Sequence, residues 1–585
     1  MNQNDSRKLV RADMSSGPRI TVEEFPRGYR DLGGRGLIAA MLLDEMDPRV
    51  GPMSGRNKLI LASGLLGQSG VPCAGRLSVG GKSPLTGTIK ESNVGGTAGQ
   101  ALSRLGIGAV VIEGIPPVPG PYVLFLSPDG GEIREAAGLS GLGTYDTAAK
   151  LRSEYGKDAS IVCTGPAGEL LLPTASVAVT NMEGLPSRHA GRGGLGAVMG
   201  SKGVKAVVIS GRSEPPTVGD RSGFTSAVRE FVAALNSHPT TSVTLRKWGT
   251  ASLVNFVNSL GAMPTRNFSA GAFEKATEID GIRLATNTET RGGKTGHACY
   301  PGCVIKCSNI YPDERGEYIT SGLEYETIVM LGSNCGLGDL DVVAKLDRMC
   351  DDLGLDTMET GAAIAVAMEG GLLEFGDGAA MLEMVRLAGR GQGWGRVIGQ
   401  GTAVTGKMLG VKRVPVVKDQ SLAAYDPRVL KGVGVTYSTS TMGADHTMGN
   451  GLGGPGDATS SEGKIEYARK FQKLAALLDT LGLCWFTRAV LLDDLSLLAR
   501  IIACGPGIEC DPSYLDGLAR SVLRDEHEFN DLAGFTAEDD RLPAFFYEEP
   551  LPPTGMVFDI PPSRLDQFTS EMSAPAGRRR RGVVA

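Results

Sequence analysis

Short apolar runs separated by polar, glycine-rich turns fill the first third of the chain. Residues 7–25 alternate around Ser15-Ser16-Gly17-Pro18, so Leu9-Val10-Arg11 and Ile20-Thr21-Val22 predict the two strands of a β-hairpin. Further apolar runs predict strands at residues 58–61, 109–112, 122–126, 160–163 and 205–209. Together these runs predict a sheet-rich α+β domain over residues 1–212.

From about residue 220 the apolar positions repeat at helical spacing. Val342, Leu346, Met349 and Leu353 share one helix face, and a glycine in the next position, 354, is typical of a helix end. The pattern predicts two mainly helical domains, 213–417 and 418–569, with the boundaries marked by the Pro-containing stretch 213–216 and by residues 423–428. The segment 570–585 ends in four arginines, 578–581, and predicts a disordered basic tail.

One six-residue pattern occurs twice. Asp351-Asp352-Leu353-Gly354-Leu355-Asp356 closes one amphipathic helix, and Asp479-Thr480-Leu481-Gly482-Leu483-Cys484 closes another. At the first site Asp356 and Glu359 also predict the capping box of the helix that follows. Two helix ends with the same pattern predict a matched pair that holds a ligand with approximate two-fold symmetry.

Three cysteines, Cys299, Cys303 and Cys307, fall within nine residues around a Pro-Gly turn. Three thiols from one loop cover one face of an iron–sulfur cluster, so the fourth ligand should come from a distant segment, and we assign it to Cys484. A structural zinc site would show two ligand pairs, and a radical-SAM site needs a shorter second spacing. The spacing favours a cluster, with zinc and unligated thiols as the alternatives.

Composition limits the class of protein. Net charge is −6 over 585 residues, which provides no basic surface for nucleic acid. The N-terminus has no apolar signal region, and no apolar run reaches eighteen residues, so the sequence predicts a cytoplasmic protein without a membrane span. Gly accounts for 83 residues, which predicts tight turns and close approach of the backbone to a ligand.

Two glycine motifs resemble nucleotide loops only in part. Gly191-x-Gly193-x-x-Gly196 has the dinucleotide spacing, but no strand is predicted directly before it. We interpret it as an anion cradle in which Arg188 and Arg192 supply the positive charge. The stretch 80–83 lacks the glycine that a P-loop needs, because Arg76 occupies that position.

Acidic and imidazole side chains in the second half have ordinary structural interpretations. Glu324 and Glu326 flank Tyr325, and glutamate is seldom fully buried without a partner, so the pattern alone favours a surface position. His446 is one of only five histidines, and an isolated histidine is more often structural than catalytic.

Taken together, these stretches resemble the aldehyde ferredoxin oxidoreductase family of tungsten enzymes from about residue 8 to 555. The resemblance rests on Arg76, Ser92-Asn93, residues 190–194, the three clustered cysteines, residues 324–326, both six-residue motifs and His446. It implies a tungsten bis-pterin (bis-molybdopterin) cofactor, with molybdenum possible in place of tungsten, a [4Fe-4S] cluster beside it, and a bound Mg²⁺. It also implies that the cofactor is buried where the sheet domain meets the two helical domains.

The resemblance assigns roles to individual residues. Glu326 would be the general base toward water, and His446 would donate to or orient the substrate carbonyl oxygen. The cluster ligands would be Cys299, Cys303, Cys307 and Cys484. Cofactor contacts would come from Arg76, Asn93, Gly95, Gly96, Arg188, His189, Ala190, Gly191, Arg192, Gly193, Gly194, Asp351, Gly354, Leu355, Asp356, Asp479, Gly482 and Leu483. Mg²⁺ would bridge the Asn93 side chain and the His189 main-chain carbonyl.

The implied reaction converts an aldehyde and water into a carboxylic acid, two electrons and two protons, with a ferredoxin-like protein or subunit as the acceptor. A tungsten aryl-CoA reductase, an NAD-binding dehydrogenase and a non-catalytic iron–sulfur carrier are the alternatives. The first cysteine gap is one residue longer than the family's, which predicts a reshaped cluster loop. Lys345 and Arg348 replace the Glu-x-x-His pair that holds an intersubunit iron in the archetype, so homodimer and hetero-oligomer both stay open.

Overall fold

A computed structural model describes residues 7–212, 219–453 and 459–573. Within the N-terminal part, the strands are β1 (Lys8–Asp13), β2 (Arg19–Glu24), β3 (Leu59–Ser63), β4 (Leu77–Lys82), β5 (Ile89–Val94), β6 (Ile107–Glu113), β7 (Tyr122–Ser127), β8 (Gly130–Glu135), β9 (Ser160–Cys163), β10 (Val177–Val179), β11 (Arg188–Ala190) and β12 (Val204–Ile209). The helices of this part are α1 (Gly34–Glu45), α2 (Ala98–Arg104), α3 (Thr144–Tyr155), α4 (Pro166–Glu169) and α5 (Leu195–Ser201). The predicted α+β domain is confirmed.

The two six-stranded sheets of this domain have the same topology. One has the order β2-β1-β6-β3-β4-β5, and the other, taken from the opposite edge, has the order β8-β7-β12-β9-β10-β11. Each begins with a hairpin, each contains one parallel pair, β1 with β6 and β7 with β12, and each continues with antiparallel pairs. The domain is therefore a structural duplication whose two halves show no repeated sequence pattern.

The predicted strands are present, and the structure adds strands that alternation did not reveal. One of them, β11, ends directly before Gly191, so the expectation that no strand precedes this glycine loop is wrong. However, β11 is an edge strand that pairs antiparallel with β10, whereas a dinucleotide loop follows a strand of a parallel sheet. Residues 80–82 belong to β4, as expected for a stretch that is not a P-loop.

Helices dominate the rest of the chain, which confirms the predicted fold class. They are α6 (Arg221–Ser237), α7 (Leu245–Trp248), α8 (Leu253–Ser259), α9 (Gly281–Thr290), α10 (Tyr325–Leu331), α11 (Leu340–Leu353), α12 (Thr357–Glu369), α13 (Gly378–Gly389), α14 (Gly393–Ile398), α15 (Thr402–Leu409), α16 (Lys431–Thr439), α17 (Lys464–Leu481), α18 (Arg488–Leu491), α19 (Ser496–Cys504), α20 (Pro512–Ala533), α21 (Phe545–Glu548) and α22 (Pro562–Ser573). Short strands β13 (Lys294–His297), β14 (Ser308–Pro312), β15 (Tyr318–Ser321), β16 (Val416–Val417) and β17 (Gln420–Ser421) complete it. In the described parts of the chain, none of the helices combines the length and apolar character needed to span a bilayer.

The predicted start of the basic tail changes. Residues 570–573, assigned above to the basic tail, form the last turn of α22, and the four arginines lie outside the described residues. The stretch 423–428 is buried, with Arg428 paired to Asp426 at 2.7 Å, because it runs through the core between the helices. The linker 213–216 also lies outside the described residues.

A buried ion pair fastens the sheet domain to the last long helix. Arg35 on α1 donates from Nε and Nη2 to the carboxylate of Glu526 on α20, at 2.6 and 2.8 Å. Both side chains are almost fully inaccessible, and such a pair is costly to break because it leaves one charge unpaired. Arg35 also approaches Asp479 at 3.6 Å, which links this contact to the end of α17.

Candidate active site

Both six-residue motifs end their helices in the same way and dock on equivalent strands. Gly354 after α11 and Gly482 after α17 adopt left-handed backbone angles, with φ of +72° and +76°. The carbonyl of Gly354 accepts from the Ser176 amide at 2.8 Å, and that of Gly482 accepts from the Arg76 amide at 3.2 Å. Ser176 and Arg76 each lie directly before the fifth strand of their sheets, so the pairing is two-fold symmetric.

The cap after Gly354 departs from the predicted capping box. Asp356 accepts a hydrogen bond from the Met358 amide at 2.9 Å, as predicted for an N-cap. Glu359 does not complete the box, since its carboxylate accepts from the amides of Thr402 and Ser421 at 2.9 and 2.8 Å. Half of the predicted box therefore forms, and Glu359 instead ties α12 to α15 and β17.

A cavity of about 340 Å³ lies between the two helix ends. It is lined by most of the residues singled out in the sequence: Arg76, Asn93, Gly95, Arg188, His189, Gly191, Arg192, Cys299, Cys303, Cys307, Glu326, Asp351, Leu355, Asp356, His446 and Cys484. The remaining candidates stand behind this lining: Gly96, Ala190, Gly193, Gly194, Gly354, Asp479, Gly482 and Leu483. Several of them pack closely against main-chain atoms of other segments, as Gly482 does against Gly64.

Thiols from three segments meet at one side of the cavity. Cys299, Cys303 and Cys307 line it together with Cys484, which is 177 residues further along the chain than Cys307. Cys73, which the sequence did not single out, joins them: its carbonyl accepts from the Cys484 amide at 2.8 Å and its amide donates to the Gly302 carbonyl at 3.3 Å. Thiol contacts from Cys299 and Cys73 lower the pKa of Cys303.

Four cysteines on one side of the cavity are a donor set that fits an iron–sulfur cluster. Among the described residues, no three His, Cys, Asp or Glu side chains converge on one point as ligands of one metal ion. A [4Fe-4S] cluster has no such requirement, because each cysteine binds a different iron. Four cavity-lining cysteines therefore fit a cluster, and Cys73 adds a fifth thiol behind them.

Asn93 and His189 occupy equivalent positions in the two sheets. Asn93 pairs with Ser78 across β5 and β4, and His189 pairs with Ala178 across β11 and β10. Strands β5 and β11, the edges of the two sheets, pack against each other, which brings these residues to the domain's symmetry axis. Arg76 donates to both the side-chain and main-chain oxygens of Asn93. Burial lowers the pKa of the His189 imidazole to about 4, so the ring is neutral.

The two arginines of the glycine loop differ in their partners. Arg192 forms ion pairs with Asp356 and Glu359 at 3.2 and 3.3 Å and donates to two main-chain carbonyls, so its donors are directed at protein acceptors. In the described residues, Arg188 donates only to the Ser308 hydroxyl, at 2.6 Å, and its buried Nε has no hydrogen-bond partner there. Arg188 therefore retains free donors toward the cavity, which is what an anionic group would require.

Several carboxyl groups are buried around the cavity, and few hydrogen-bond donors of the protein lie near them. Burial raises the pKa of Asp351, Asp356 and Asp479, that of Asp479 to about 6. Asp347, one turn before Asp351 on α11, also lines the cavity, and burial raises its pKa to about 7. A ligand edge rich in N–H donors would supply the hydrogen bonds that favour the ionised forms, and a pterin has such an edge.

Glu326 forms the centre of a polar group at the other side of the cavity. The Tyr425 hydroxyl donates to Glu326 Oε1 at 2.6 Å, and His446 Nε2 lies 3.6 Å from the same oxygen. Among the described residues, the opposite nitrogen, His446 Nδ1, has no hydrogen-bond partner, and it lies 3.7 Å from Asp445 Oδ1. The side chains of Glu326 and His446 are 14% and 15% exposed.

The surface interpretation of Glu324 and Glu326 is therefore wrong. Both line the cavity, Glu324 accepting from the Thr250 hydroxyl at 2.6 Å, and burial raises the pKa of Glu324. Each glutamate has a hydroxyl partner more than seventy residues away in the chain, which no local pattern reveals. His446, which the pattern alone favours as a structural histidine, lines the same cavity 3.6 Å from Glu326. Cys335, by contrast, is buried against main-chain carbonyls and does not line the cavity.

The chain is similar over most of its length to proteins of one described family. The family profiles described as aldehyde ferredoxin oxidoreductase, N-terminal domain, and aldehyde ferredoxin oxidoreductase, domains 2 & 3, match residues 9–211 and 226–573. The tungsten-containing aldehyde ferredoxin oxidoreductase of Pyrococcus furiosus is 35% identical over 577 residues, covering 93% of this chain and 92% of the relative. The tungsten-containing aldehyde ferredoxin oxidoreductase of Thermococcus kodakarensis is also 35% identical, over 575 residues. That match covers 93% of this chain and 92% of the relative.

Among solved structures, the active site complex BamBC of benzoyl coenzyme A reductase in complex with 1,5 dienoyl-CoA has a TM-score of 0.80. The structural match covers 97% of this chain and 93% of the BamBC chain. The sequences are 19% identical, so the similarity concerns the fold alone. The family profiles and the relatives span both the sheet domain and the helical part. The chain is an oxidoreductase that belongs to the aldehyde ferredoxin oxidoreductase family.

Proposed function

We propose that the chain oxidises an aldehyde to the carboxylic acid with water at a tungsten bis-pterin centre. Electrons leave through a [4Fe-4S] cluster to a ferredoxin-like acceptor, and molybdenum is the alternative metal. The observation that carries the proposal is the contact between Glu326, Tyr425 and His446 in the cavity that the four cysteines and both helix ends also line. A base, an orienting hydroxyl and an imidazole thus face the same space as the cofactor-binding residues.

Three sets of residues would hold the cofactor: one at each helix end and one that faces its phosphate groups. Asp351, Leu355 and Asp356 border the cavity from one helix end, and Asp479 supports the other through Arg35. Arg76 and Arg188 supply positive charge for phosphate groups, and Asn93 with the His189 carbonyl would hold Mg²⁺. When bound, a high-valent tungsten centre supplies a two-electron acceptor and a Lewis acid for the carbonyl.

Glu326 takes the proton from the attacking water, and Tyr425 fixes the carboxylate that does so. Because Tyr425 donates to Oε1, the other oxygen, Oε2, stays available to accept from water. In this proposal His446 Nε2 donates to the carbonyl oxygen as negative charge develops there. The balance is one aldehyde and one water giving one carboxylic acid, two protons and two electrons.

The aryl-CoA reductase hypothesis is less well supported. Ring reduction does not require a base that activates water. The cavity nevertheless contains a carboxylate, Glu326, with His446 Nε2 3.6 Å from its Oε1. For NAD binding, the glycine loop follows an antiparallel edge strand, which does not support a dinucleotide site. A non-catalytic carrier would have no use for the Glu326, Tyr425 and His446 group.

The test is the variant Glu326→Gln, assayed with short aldehydes and a viologen dye as acceptor. We expect kcat to fall by about a hundredfold to ten-thousandfold, the usual contribution of a general base, with metal content retained. The matched control is Glu374→Gln, which removes a carboxylate from the surface and should leave kcat unchanged. Wild-type turnover in Glu326→Gln would remove Glu326 as the base, and reduction of an aryl-CoA ester without aldehyde oxidation would favour the alternative.

A further inference from the structure

Lys90 is a fully buried cation that the proposed reaction does not yet use. It lies on β5 of the sheet domain, and its side chain is 0% exposed. Its stem passes so close to Gly193 that a Cβ on this glycine would lie 2.5 Å from Lys90 Cγ. The glycine at position 193, with φ of +84°, therefore gives the lysine room to leave the sheet. A lysine is almost never buried to this degree without an anion beside its ammonium group.

The anion is Asp445, which lies 355 residues further along the chain. Lys90 Nζ donates to Asp445 Oδ2, and within the described residues this is the one ion pair that Lys90 forms. The pair joins the sheet domain to the turn that carries His446. Burial by itself raises the pKa of Asp445, but the charges of Lys90 and Arg192 lower it well below its ordinary value. The carboxylate of Asp445 is therefore ionised.

The two oxygens of Asp445 have different partners. Lys90 occupies Oδ2, whereas Oδ1 accepts from the amide and the hydroxyl of Thr447 at 3.0 and 2.8 Å. Oδ1 also lies 3.7 Å from His446 Nδ1, and His446 Nε2 lies 3.6 Å from Glu326 Oε1. With its ring protonated, His446 is thus the third member of a row of alternating charges that begins at the Lys90 ammonium and ends at the Glu326 carboxylate.

We propose that Lys90 and Asp445 are positioning residues for His446. Lys90 fixes the carboxylate of Asp445, and its Oδ1 accepts a hydrogen bond from His446 Nδ1 during the reaction. The separation of 3.7 Å is longer than a hydrogen bond, and a small rotation of the imidazole closes it, since catalytic hydrogen bonds commonly tighten when the substrate binds. The protonated ring then donates from Nδ1 to Asp445 and from Nε2 to the carbonyl oxygen of the aldehyde. This inference rests on the proposed function and adds to it the residues that orient the imidazole.

A purely structural role for Asp445 is the alternative. Its side chain caps the short helical turn 446–448 by accepting from the Thr447 amide, as aspartate often does at a helix start. Capping does not explain Lys90, because the main-chain donor satisfies the cap without a cation and because burying an ammonium group costs free energy. The two roles differ in whether the loss of Lys90 affects turnover through His446.

The first test replaces Lys90 with Met, which keeps the length of the side chain and removes its charge. We expect kcat for a short aldehyde to fall by about tenfold to a hundredfold with KM nearly unchanged, the usual cost of losing a residue that orients another. In the His446→Asn background the same replacement should change kcat by less than about twofold, because Lys90 then has no imidazole to orient. Equal losses of kcat with and without His446 would overturn the proposal.

Lys205→Met is the matched control for these kinetics. Lys205 lies on β12 of the second sheet, its side chain is 0% exposed, and it forms an ion pair with Glu169. Lys205→Met therefore also removes a buried ammonium group that has a carboxylate partner. We expect its kcat to equal that of the wild type. A fall in kcat as large as that of Lys90→Met would show that the loss of any buried lysine is sufficient, which would overturn the proposal.

A second variant keeps the proposal testable if Lys90→Met does not fold. That replacement leaves Asp445 buried without its cation, whereas Lys90→Met combined with Asp445→Asn removes both charges and leaves neither partner as an unpaired ion. We expect the double variant to retain wild-type metal content and to have a kcat about tenfold to a hundredfold below wild type. A double variant with wild-type kcat would overturn the positioning role.

Crystal structures of the holoenzyme separate this inference from the proposed function. In the wild type with acetate bound, we expect His446 Nδ1 to lie at about 2.7–3.2 Å from Asp445 Oδ1, the range of a hydrogen bond. In Lys90→Met we expect the carboxylate to rotate and this contact to be lost. Both results hold even if no aldehyde is oxidised, an outcome that would defeat the proposed function alone. A wild-type ring beyond hydrogen-bonding distance of Asp445, or an unchanged ring position in Lys90→Met, would overturn the inference.

Discussion

The main-chain amide of Arg76 donates to the carbonyl oxygen of Gly482 at 3.2 Å, which fixes the end of α17 to the first sheet. The second sheet repeats this contact, with the Ser176 amide donating to Gly354 at 2.8 Å. The duplicated sheets therefore present two equivalent backbone donors, one to each helix end. A ligand with two similar halves would find matching walls on both sides of the cavity.

The first prediction concerns Gly482. An alanine there must adopt φ of +76°, and its Cβ would lie 2.8 Å from the Cα of Gly64. Gly410 caps α15 at φ of +68° with open space around it, so Gly410→Ala carries the conformational cost alone, about 1–2 kcal/mol. We expect Gly482→Ala to lower the thermal midpoint at least twice as much, and to lower bound metal too. Equal losses in the two variants would show that the contact with Gly64 is not important.

The second prediction concerns the hydroxyl of Tyr425. Removing it in Tyr425→Phe should lower kcat by about tenfold to a hundredfold, as expected for a hydrogen bond to a charged group. Tyr325→Phe is the control, because that hydroxyl donates to the Ala424 carbonyl and does not contact Glu326. Both variants lose one buried hydrogen bond, so similar stability with different kcat supports the positioning role. Equal kcat in the two variants would refute it.

The third prediction separates Cys73 from the cluster ligands. Cys484 lines the cavity and Cys73 does not, although the two are joined by a main-chain hydrogen bond of 2.8 Å. We expect Cys484→Ser to lose most of the cluster absorption and Cys73→Ser to retain it. Cys335→Ser, a buried thiol bonded to the Met330 carbonyl, serves as the control for burial. Loss of the cluster in Cys73→Ser with retention in Cys484→Ser would reverse the assignment.

The fourth prediction concerns pH and His189. Its folded pKa of about 4 lies below the ordinary value of 6.5, because burial disfavours the charged ring. Below pH 6.5 the unfolded chain gains a proton that the folded chain does not, so stability falls as pH drops toward 4. Relative to His189→Gln, the wild type should lose about 3 kcal/mol of unfolding free energy over this interval. Parallel pH profiles from denaturant titrations would contradict a buried neutral ring.

Sequence patterns predicted the parts of the site that depend on local rules. Gly354 and Gly482 end amphipathic helices, and the three clustered cysteines need a distant fourth ligand, so spacing was informative for each. The fold class followed from strand-like and helix-like periodicity. The sheet duplication did not, because topology is conserved between the halves without a shared residue pattern.

Contacts between distant segments could not be predicted where neither residue belongs to a motif. Tyr425 lies 99 residues from Glu326, and the hydrogen bond between them is what makes a buried glutamate acceptable. Because the local pattern does not reveal Tyr425 as a partner, it favoured a surface position for Glu326. Cys73 was equally hidden, since a single cysteine 226 residues before Cys299 has no spacing signature.

Metal analysis of anaerobically purified protein tests the central claim most directly. We predict about four iron atoms and one tungsten or molybdenum atom per chain, since under the proposed function the four cavity-lining cysteines would hold one cluster and the two matched helix ends one pterin-bound metal. Iron without tungsten or molybdenum, or zinc in place of iron, would contradict the account.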